Sequence, residues 1–502
     1  MSGSTPRAPI SPPPTRHSGH GWTAARRKSR GSDFSVYIRG IDELIASHAT
    51  ILYEGCNTSF QVHYQIDPDR FADCYNWAQL IAAPVLACAT NSPLFLGKRL
   101  WRETRIALFH QSTDDRSMPS IFRRQRPRVG FGWHWETETV AEYFKEMVCR
   151  YRPLLTPRIE RDSLEDVTRK RAPTLTALNL LNGTVYTWNR PCYGITDGKP
   201  HIRLENRYLP AGPSVVDEVA NAALWLGLMN AMPEDIAELP RRLSFDSVHD
   251  NFLRAARQGL NANFEWPRQR SIDAENLLRE TLLPMARDGL RKADVAQTDI
   301  DRYLGVIEQR VDSSRTGSQW MLDSLQRLQN QGSAGEALVA ITQGIYSRQQ
   351  AGDPVHTWQP AEAAEAGGWR QRWSRVDQLM STDLITVRPD DPLTLVRHIL
   401  RWSAIRHLPV ENDNRELLGM ISTDTLIERI QNHSVSSEMC AKDVMDTAAP
   451  ATVTPDTTIR DALQQMSAGK LSYLAVLANA KLVGIVTEHD CLRLVSSITS
   501  EG

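Results

Sequence analysis

Two short segments in the first half of the chain alternate strictly between apolar and polar residues. In Ser59–Ile66, Phe60, Val62, Tyr64 and Ile66 face one way, and Ser59, Gln61, His63 and Gln65 the other. In His201–Tyr208, Ile202 and Leu204 share a face opposite His201, Arg203, Glu205 and Arg207. A period of two predicts strands with one side against a core. The polar side of such a strand often just meets water. A carboxylate flanked by guanidiniums also suits a surface that handles carboxylates or phosphates, because Arg presents a planar fork of donors. Glu205 is in addition a candidate ligand for magnesium.

Elsewhere in the first half the period is helical. Asp67-Pro68 reads as an N-cap and first-turn proline, followed by Phe71, Tyr75, Ala78 and Ile81 or Ala82 on one stripe. Pro84 is expected to kink or end that helix, and Asn91-Ser92-Pro93 to form a turn. A second apolar helix is predicted over Ser214–Met232. Residues 268–350 are polar with a helical stripe of Leu277, Leu278, Leu282, Ile307, Met321, Leu325 and Leu328. Gly55, Gly97 and Gly194 read as turns, and 351–369, rich in Ala, Gly and Pro, as a linker. Residues 1–32 hold Pro, Ser and Arg with no acid and almost no large apolar residue, which predicts a disordered tail.

Lys and Arg number 58 against 59 Asp and Glu, a formal charge of −1, which argues against a polyanion-binding protein. The basic run Arg123–Arg128 near Trp133 and Trp135 is read as a solvated loop. The longest unbroken apolar run, Leu80–Ala89, is far short of the roughly 20 residues of a membrane helix. Seven scattered cysteines, read as buried small apolar groups, form no CxxC and suggest a reducing, cytoplasmic compartment. There is no Walker loop and no GxGxxG, so a nucleotide would be held another way.

The last part of the chain repeats itself. VDQLMSTDLITVRPDDPL (376–393) parallels KDVMDTAAPATVTPDTTI (442–459), HLPV (407–410) parallels YLAV (473–476), and LLGMIS (417–422) parallels LVGIVT (482–487), at a steady offset of 65 or 66 residues. This predicts two pseudosymmetric β-α-β-β-α units. The segment 374–498 resembles a CBS-domain pair. That resemblance implies adenine-nucleotide clefts (AMP, ADP or ATP), with a hydroxyl and a carboxylate from each repeat's end reaching ribose and phosphates. The second repeat matches with Gly484, Thr487 and Asp490. In the first, Gly419 and Ser422 fit, but Thr425 stands in register where the acid should be, and the aspartate is Asp424. The resemblance also implies a homodimer through the pair.

Residues 57–98 (NTSFQVHYQIDPDRFADCYNWAQLIAAPVLACATNSPLFLGK), TRIALFHQSTDDRS (104–117) and WNRPCYGITDGKPHIRLENRYLPAGPSVVDEVANAA (188–223) resemble, in order and spacing, the glutamate–cysteine ligases and related carboxylate–amine ligases, over about 35–270. The resemblance implies a glutamine-synthetase-like antiparallel sheet carrying ATP, Mg²⁺ and glutamate, with an amine attacking an acyl phosphate, and a place in glutathione biosynthesis. By position it implies Glu205 and His63 as metal ligands. Gln61, His63, Arg203 and Arg207 then serve catalysis, and Arg105 and Arg116 the glutamate carboxylates. Family members begin with a strand of closely spaced glutamates that hold magnesium. Here the match starts near Asp33, residues 1–32 carry no acid, and Glu43 and Glu54 are the nearest carboxylates. A poor or inactive ligase is therefore expected. A start site placed too late, degeneration, or carboxylates supplied by a partner subunit would each explain it.

The expected fold is α+β: an incomplete glutamine-synthetase-like antiparallel sheet with helices, a helical segment, then the CBS pair. The expected divisions are a tail over 1–32, a ligase-like domain over 33–350, a linker over 351–373 and repeats over 374–435 and 436–498. The expected function is an ATP-dependent ligase with a nucleotide-sensing module. The alternative is a sensor on a ligase-like scaffold.

Overall fold

The computed structural model describes residues 34–48, 52–116, 125–154, 162–267, 269–329, 331, 334–372, 375–382, 384–403, 405–431, 439–446 and 450–491. The expected tail over 1–32 lies outside them. The chain forms two compact units, Met1–Ala366 and Gly367–Gly502.

The first unit is built around helix α1 (Phe71–Ala89), which is buried along almost its whole length. A helix apolar all round has no face to give to water and becomes the centre of a core. Its start follows the predicted chemistry: Asp67 accepts from the Asp69 amide at 3.0 Å and Pro68 opens the first turn. Pro84 does not end the helix, which continues through it to Ala89. The buried stretch around the proline has packing partners on every side, and these offset the missing hydrogen bond. The expected turn at Asn91-Ser92-Pro93 is instead a bridge from Ser92 to Glu103. The chain reverses at Leu96-Gly97, both with positive φ, between β4 (Leu94–Phe95) and β5 (Lys98–Arg99). Gly55 is the last residue of a short helix, Leu52–Gly55.

The hairpin β1 (Phe34–Arg39) and β2 (Glu43–His48) packs its apolar side on helix α2 (Thr104–Ser112). The two alternating segments form neighbouring strands. β3 (Val62–Ile66), β8 (Asn189–Thr196) and β9 (Lys199–Asn206) make an antiparallel sheet in the order β3-β9-β8. Ile66, Ile202 and Leu204 face the core shared with α1. Gly194, expected in a turn, lies inside β8, where a side chain would meet the His201 ring at 2.7 Å. Two further strands, β6 (Val129–Gly130) and β7 (Tyr186–Thr187), pair in parallel, with helix α3 (Val140–Arg150) between them in sequence.

Helices α4 (Val215–Asn230) and α5 (Phe245–Gln258) pack against α1, and the Trp77 indole donates to the Leu228 carbonyl at 2.7 Å. Beyond the β10 (Asn263–Trp266) and β11 (Gln269–Asp273) hairpin come α6 (Leu283–Lys292), α7 (Gln297–Asp312), α8 (Gly317–Leu328) and α9 (Ala334–Ala351). Of the predicted stripe, Leu277, Leu278, Leu282, Ile307, Leu325 and Leu328 are buried and Met321 is half-buried. The segment read as a linker is not free. Val355, Trp358 and Ala361 are buried, Trp358 meets Trp320 edge-on at 5.3 Å, and the Val355 amide donates to Asp217 at 3.0 Å. Asp217 also pairs with Arg310 at 2.7 Å, both fully buried, which ties α4, α7 and this segment together. Val355, Trp358 and Ala361 anchor the segment, while Gly352, Ala363 and Gly367 stay exposed.

The second unit holds the two β-α-β-β-α repeats. Repeat one contains α10 (Leu393–Trp402), β12 (His407–Glu411), β13 (Leu417–Ser422) and α11 (Thr423–Gln431). A parallel bridge from Val387 to Val410 supplies its first strand. Repeat two contains β14 (Thr452–Val453), α12 (Ile459–Gly469), β15 (Tyr473–Ala478) and β16 (Lys481–Thr487). Their leading segments are exchanged. Val376 and Leu379, from the start of repeat one, lie in the core of repeat two with Val453, Leu474 and Val486. Ala441 and Val444, from the start of repeat two, lie in the core of repeat one with Val396, Leu408 and Ile421. The packing units therefore differ from the sequence units 374–435 and 436–498, because periodicity does not reveal which core a short apolar segment joins.

Candidate functional site: a guanidinium-lined sheet face

The polar side of the β3-β9-β8 sheet gathers His63, Arg190, Cys192, Arg203, Glu205 and Arg207. Register fixes the neighbours: His63 and Arg190 lie on either side of Glu205, and Gln65 and Cys192 on either side of Arg203. Glu205 is 2% exposed. Its carboxylate accepts from Arg190 Nε at 2.7 Å and from Arg207 Nη1 at 2.9 Å, with His63 Nε2 at 3.6 Å and Cys192 Sγ at 3.6 Å. Burial alone would raise the Glu205 carboxyl, but Arg190 and Arg207 outweigh it and hold it below the usual range. Burial, with Arg203, Arg190 and Arg207 alongside, pushes His63 below its ordinary value against the pull of Glu205. Arg203 has a buried Nε with no hydrogen-bond partner among the described residues. The face therefore carries three guanidiniums to one carboxylate, and the Nε of Arg203 has no partner among the described residues.

The expected site residues divide. His63, Arg203, Glu205 and Arg207 come together, with Gln61 one step beyond β3, exposed, its amide on Ser59 at 3.3 Å. Arg105 does not join them: it is 5% exposed, and its guanidinium donates to the Arg207 and Tyr208 carbonyls and pairs with the buried Glu103. It braces the end of β9 and is not open to a substrate carboxylate. Arg116 is also held, forked onto Asp114 at 2.8 and 2.7 Å, with Nη1 on the Gln125 carbonyl. Arg190 and Cys192 were not singled out in the sequence because Pro191 interrupts the strand pattern. An edge strand tolerates a proline, and β8 is at the sheet's edge.

The donor set does not fit magnesium. A hexacoordinate ion needs several oxygen ligands held together, whereas Glu205 is the sole carboxylate on these three strands and two guanidiniums already occupy it. Among the described residues no group of three or more His, Cys, Asp or Glu is placed to hold a metal. Glu43 accepts from the Tyr37 hydroxyl at 2.7 Å in the β1-β2 hairpin, and Glu54 sits in the short helix before β3. The basic run is not a solvated loop where it is described: Arg128 is buried on Asp115, and Arg126 covers the Trp133 ring at 4.3 Å. Of the cysteines, Cys74 and Cys88 are buried, while Cys56 and Cys149 are exposed.

In the second unit, the Thr487 amide and hydroxyl both donate to Asp490 Oδ2, at 3.0 and 2.7 Å. The hydroxyl keeps its lone pairs for an incoming donor such as a ribose hydroxyl. In repeat one Ser422 Oγ accepts from the Thr425 amide at 2.9 Å, and Asp424 is exposed nearby. Gly484, expected among the nucleotide contacts, is taken up by packing: a side chain there would meet Met380 Sδ at 2.5 Å. Gly419 is likewise closed by the Asp446 carbonyl at 2.6 Å. His407 and Tyr473, equivalent positions of the two repeats, lie with ring centroids 4.9 Å apart.

Two curated relatives match short stretches. The choline transport ATP-binding protein OpuBA of Bacillus subtilis is 27% identical over 122 residues, 24% of this chain and 30% of that protein. Inosine-5'-monophosphate dehydrogenase of Korarchaeum cryptofilum is 31% identical over 117 residues, 23% of each. The chain thus spans well under half the length of either. Among solved structures, an acetoin utilization protein (AcuB) from Vibrio cholerae shows 26% identity and a TM-score of 0.24, covering 25% of this chain and 93% of its own. CBSX2 in complex with AMP shows 25% identity and a TM-score of 0.22, covering 25% and 97%. CBS domains are matched over residues 376–432 and 441–497. Residues 41–344, more than half the chain and the whole of the guanidinium-lined sheet, match glutamate-cysteine ligase family 2, and the chain belongs to that family.

Proposed function

We propose that the ligase-family unit holds the anionic end of its substrate, a carboxylate or phosphate, on the face of Arg190, Arg203 and Arg207, and does not by itself turn over Mg-ATP. The observation that carries this reading is the environment of Glu205: one buried carboxylate between two guanidiniums, beside the unsatisfied Nε of Arg203. Such a face favours anions and leaves no oxygen cluster for metals. Glutamate, with an amine as second substrate, is the anion the family suggests. The CBS pair is proposed to bind an adenine nucleotide at Thr487 and Asp490 and to associate as a homodimer. Exposed unpaired thiols at Cys56 and Cys149 suit a reducing cytoplasm. No described helix is long and apolar enough to cross a membrane.

The test uses the purified 502-residue chain. With Mg-ATP, glutamate and a panel of amines it should release no ADP above the protein-free rate. Phosphate or glutamate should still bind, and Arg203→Ala should weaken that binding about five-fold. Steady ADP release by the chain alone, or unchanged anion affinity in the variant, counts against the reading.

A further inference from the structure

A cavity of about 530 Å³ opens between α2, β6 and α5. That volume is in the range of small-molecule sites, which pair an apolar lining with a few convergent polar groups. Its walls include Val129, Phe131, Trp188 and Phe252, and the Phe131 and Phe252 rings lie 4.6 Å apart. Five polar side chains border it: His110, Gln111, Arg116, Asp246 and His249.

These groups are not equally available. Arg116 is neutralised by its fork on Asp114, and Gln111 Oε1 accepts from the Tyr37 amide at 2.6 Å. Asp246 is exposed at the rim, its side chain has no hydrogen bond or ion pair among the described residues, and its charge acts on the His249 ring. Burial pushes both His110 and His249 below their ordinary value, so both imidazoles are neutral at pH 7.5. The open chemistry is therefore one carboxylate and two neutral rings beside aromatic faces. Aromatic faces attract an ammonium through their quadrupole, and a carboxylate adds to that attraction.

We propose that this cavity binds a primary amine carried on an aromatic or bulky apolar group, with the ammonium at Asp246 and the apolar body against the wall formed by Phe131, Trp188 and Phe252. The link to an acceptor amine rests on the ligase reading; the binding itself does not require turnover. Asp246 also lies in the first turn of α5, where an acid suits the helix dipole. That role alone would leave ligand binding untouched.

Calorimetry on the full chain at pH 7.5 with 2-phenylethylamine, 2-phenylethanol and 3-phenylpropionate tests the proposal. The amine should bind about ten-fold tighter than the alcohol, a difference of about 1.4 kcal/mol, and the carboxylate should give no heat. Asp246→Asn, with an unchanged circular dichroism spectrum, should bring amine and alcohol to similar affinity. Leu253→Trp, which fills the cavity from a half-buried position, should weaken both. No heat with the amine at millimolar concentration, tighter binding of the carboxylate, or an Asp246→Asn variant identical to the parent would overturn it. Phosphate affinity, measured in parallel on Arg203→Ala, reports the sheet face separately, so the two readings fail independently.

Discussion

Glu205 and Glu136 are both carboxylates largely removed from water, and they respond in opposite directions. Two guanidiniums hold Glu205 ionised. Among the described residues the Glu136 carboxylate has only His134 as a cationic neighbour, at 4.0 Å, with the like charge of Glu146 close by, and burial pushes it up to about 7. Its folded value lies above its ordinary 4.5, so the stability it permits is complete below about pH 4.5 and is lost as the pH rises through about 7. Glu136→Gln should therefore raise the midpoint of thermal unfolding at pH 8, by about 2–4 °C per kcal/mol recovered, and leave it nearly unchanged at pH 4. An equal shift at both values would show that the charge is not the cause. At this scale the sequence discloses whatever shares a strand's period: His63, Arg203, Glu205 and Arg207 are legible as one face. Arg190 is not, because its placement beside Glu205 depends on a third strand joined across the sheet. The occupation of Arg105 and Arg116 by neighbours is equally hidden, since it depends on which carbonyls and carboxylates the fold delivers to them.

Helices α4 and α6 touch through glycines. A methyl group on Gly289 would stand 1.9 Å from the Gly227 carbonyl oxygen, and one on Gly227 would stand 2.5 Å from that of Ala286. Both are backbone atoms, which cannot step aside as a flexible side chain would. Gly289→Ala should therefore cost about 1–3 kcal/mol of stability, despite the better helix propensity of alanine. Denaturant unfolding of the variant checks this, and a stabilised protein would contradict it. The existence and extent of the long helices are legible from apolar spacing, as α1 and α4 show. Their crossings are not, because glycine carries no periodic signal. Pro84 shows the same limit: its local preference is to interrupt a helix, and burial on every side overrides it. The segment around Trp358 reads as a linker from its small residues, and the indole that anchors it against Trp320 is a single residue in that composition.

Across the whole chain, the repeat and the order of motifs make both units legible, whereas the exchange of leading segments within the CBS pair is not. The nucleotide proposal predicts that Asp490→Asn in the full chain lowers affinity for AMP, ADP or ATP about ten-fold, read by calorimetry. The same affinity in the variant would place the site elsewhere. Sedimentation of the parent protein should show a dimer, and a monomer would remove the proposed association through the pair. The exchanged segments bear on how the protein is made. As the chain leaves the ribosome, repeat one emerges first but lacks Ala441 and Val444, so its core cannot close until the start of its twin has been synthesised. Val376 and Leu379, among the earliest residues of this unit, must wait longer still for β14, β15 and β16. Neither core of this unit can therefore close until residues of both repeats have been made. A nascent chain arrested between the repeats would present an unfinished core to chaperones and proteases, whereas a finished chain cut at the same place would keep its halves clasped.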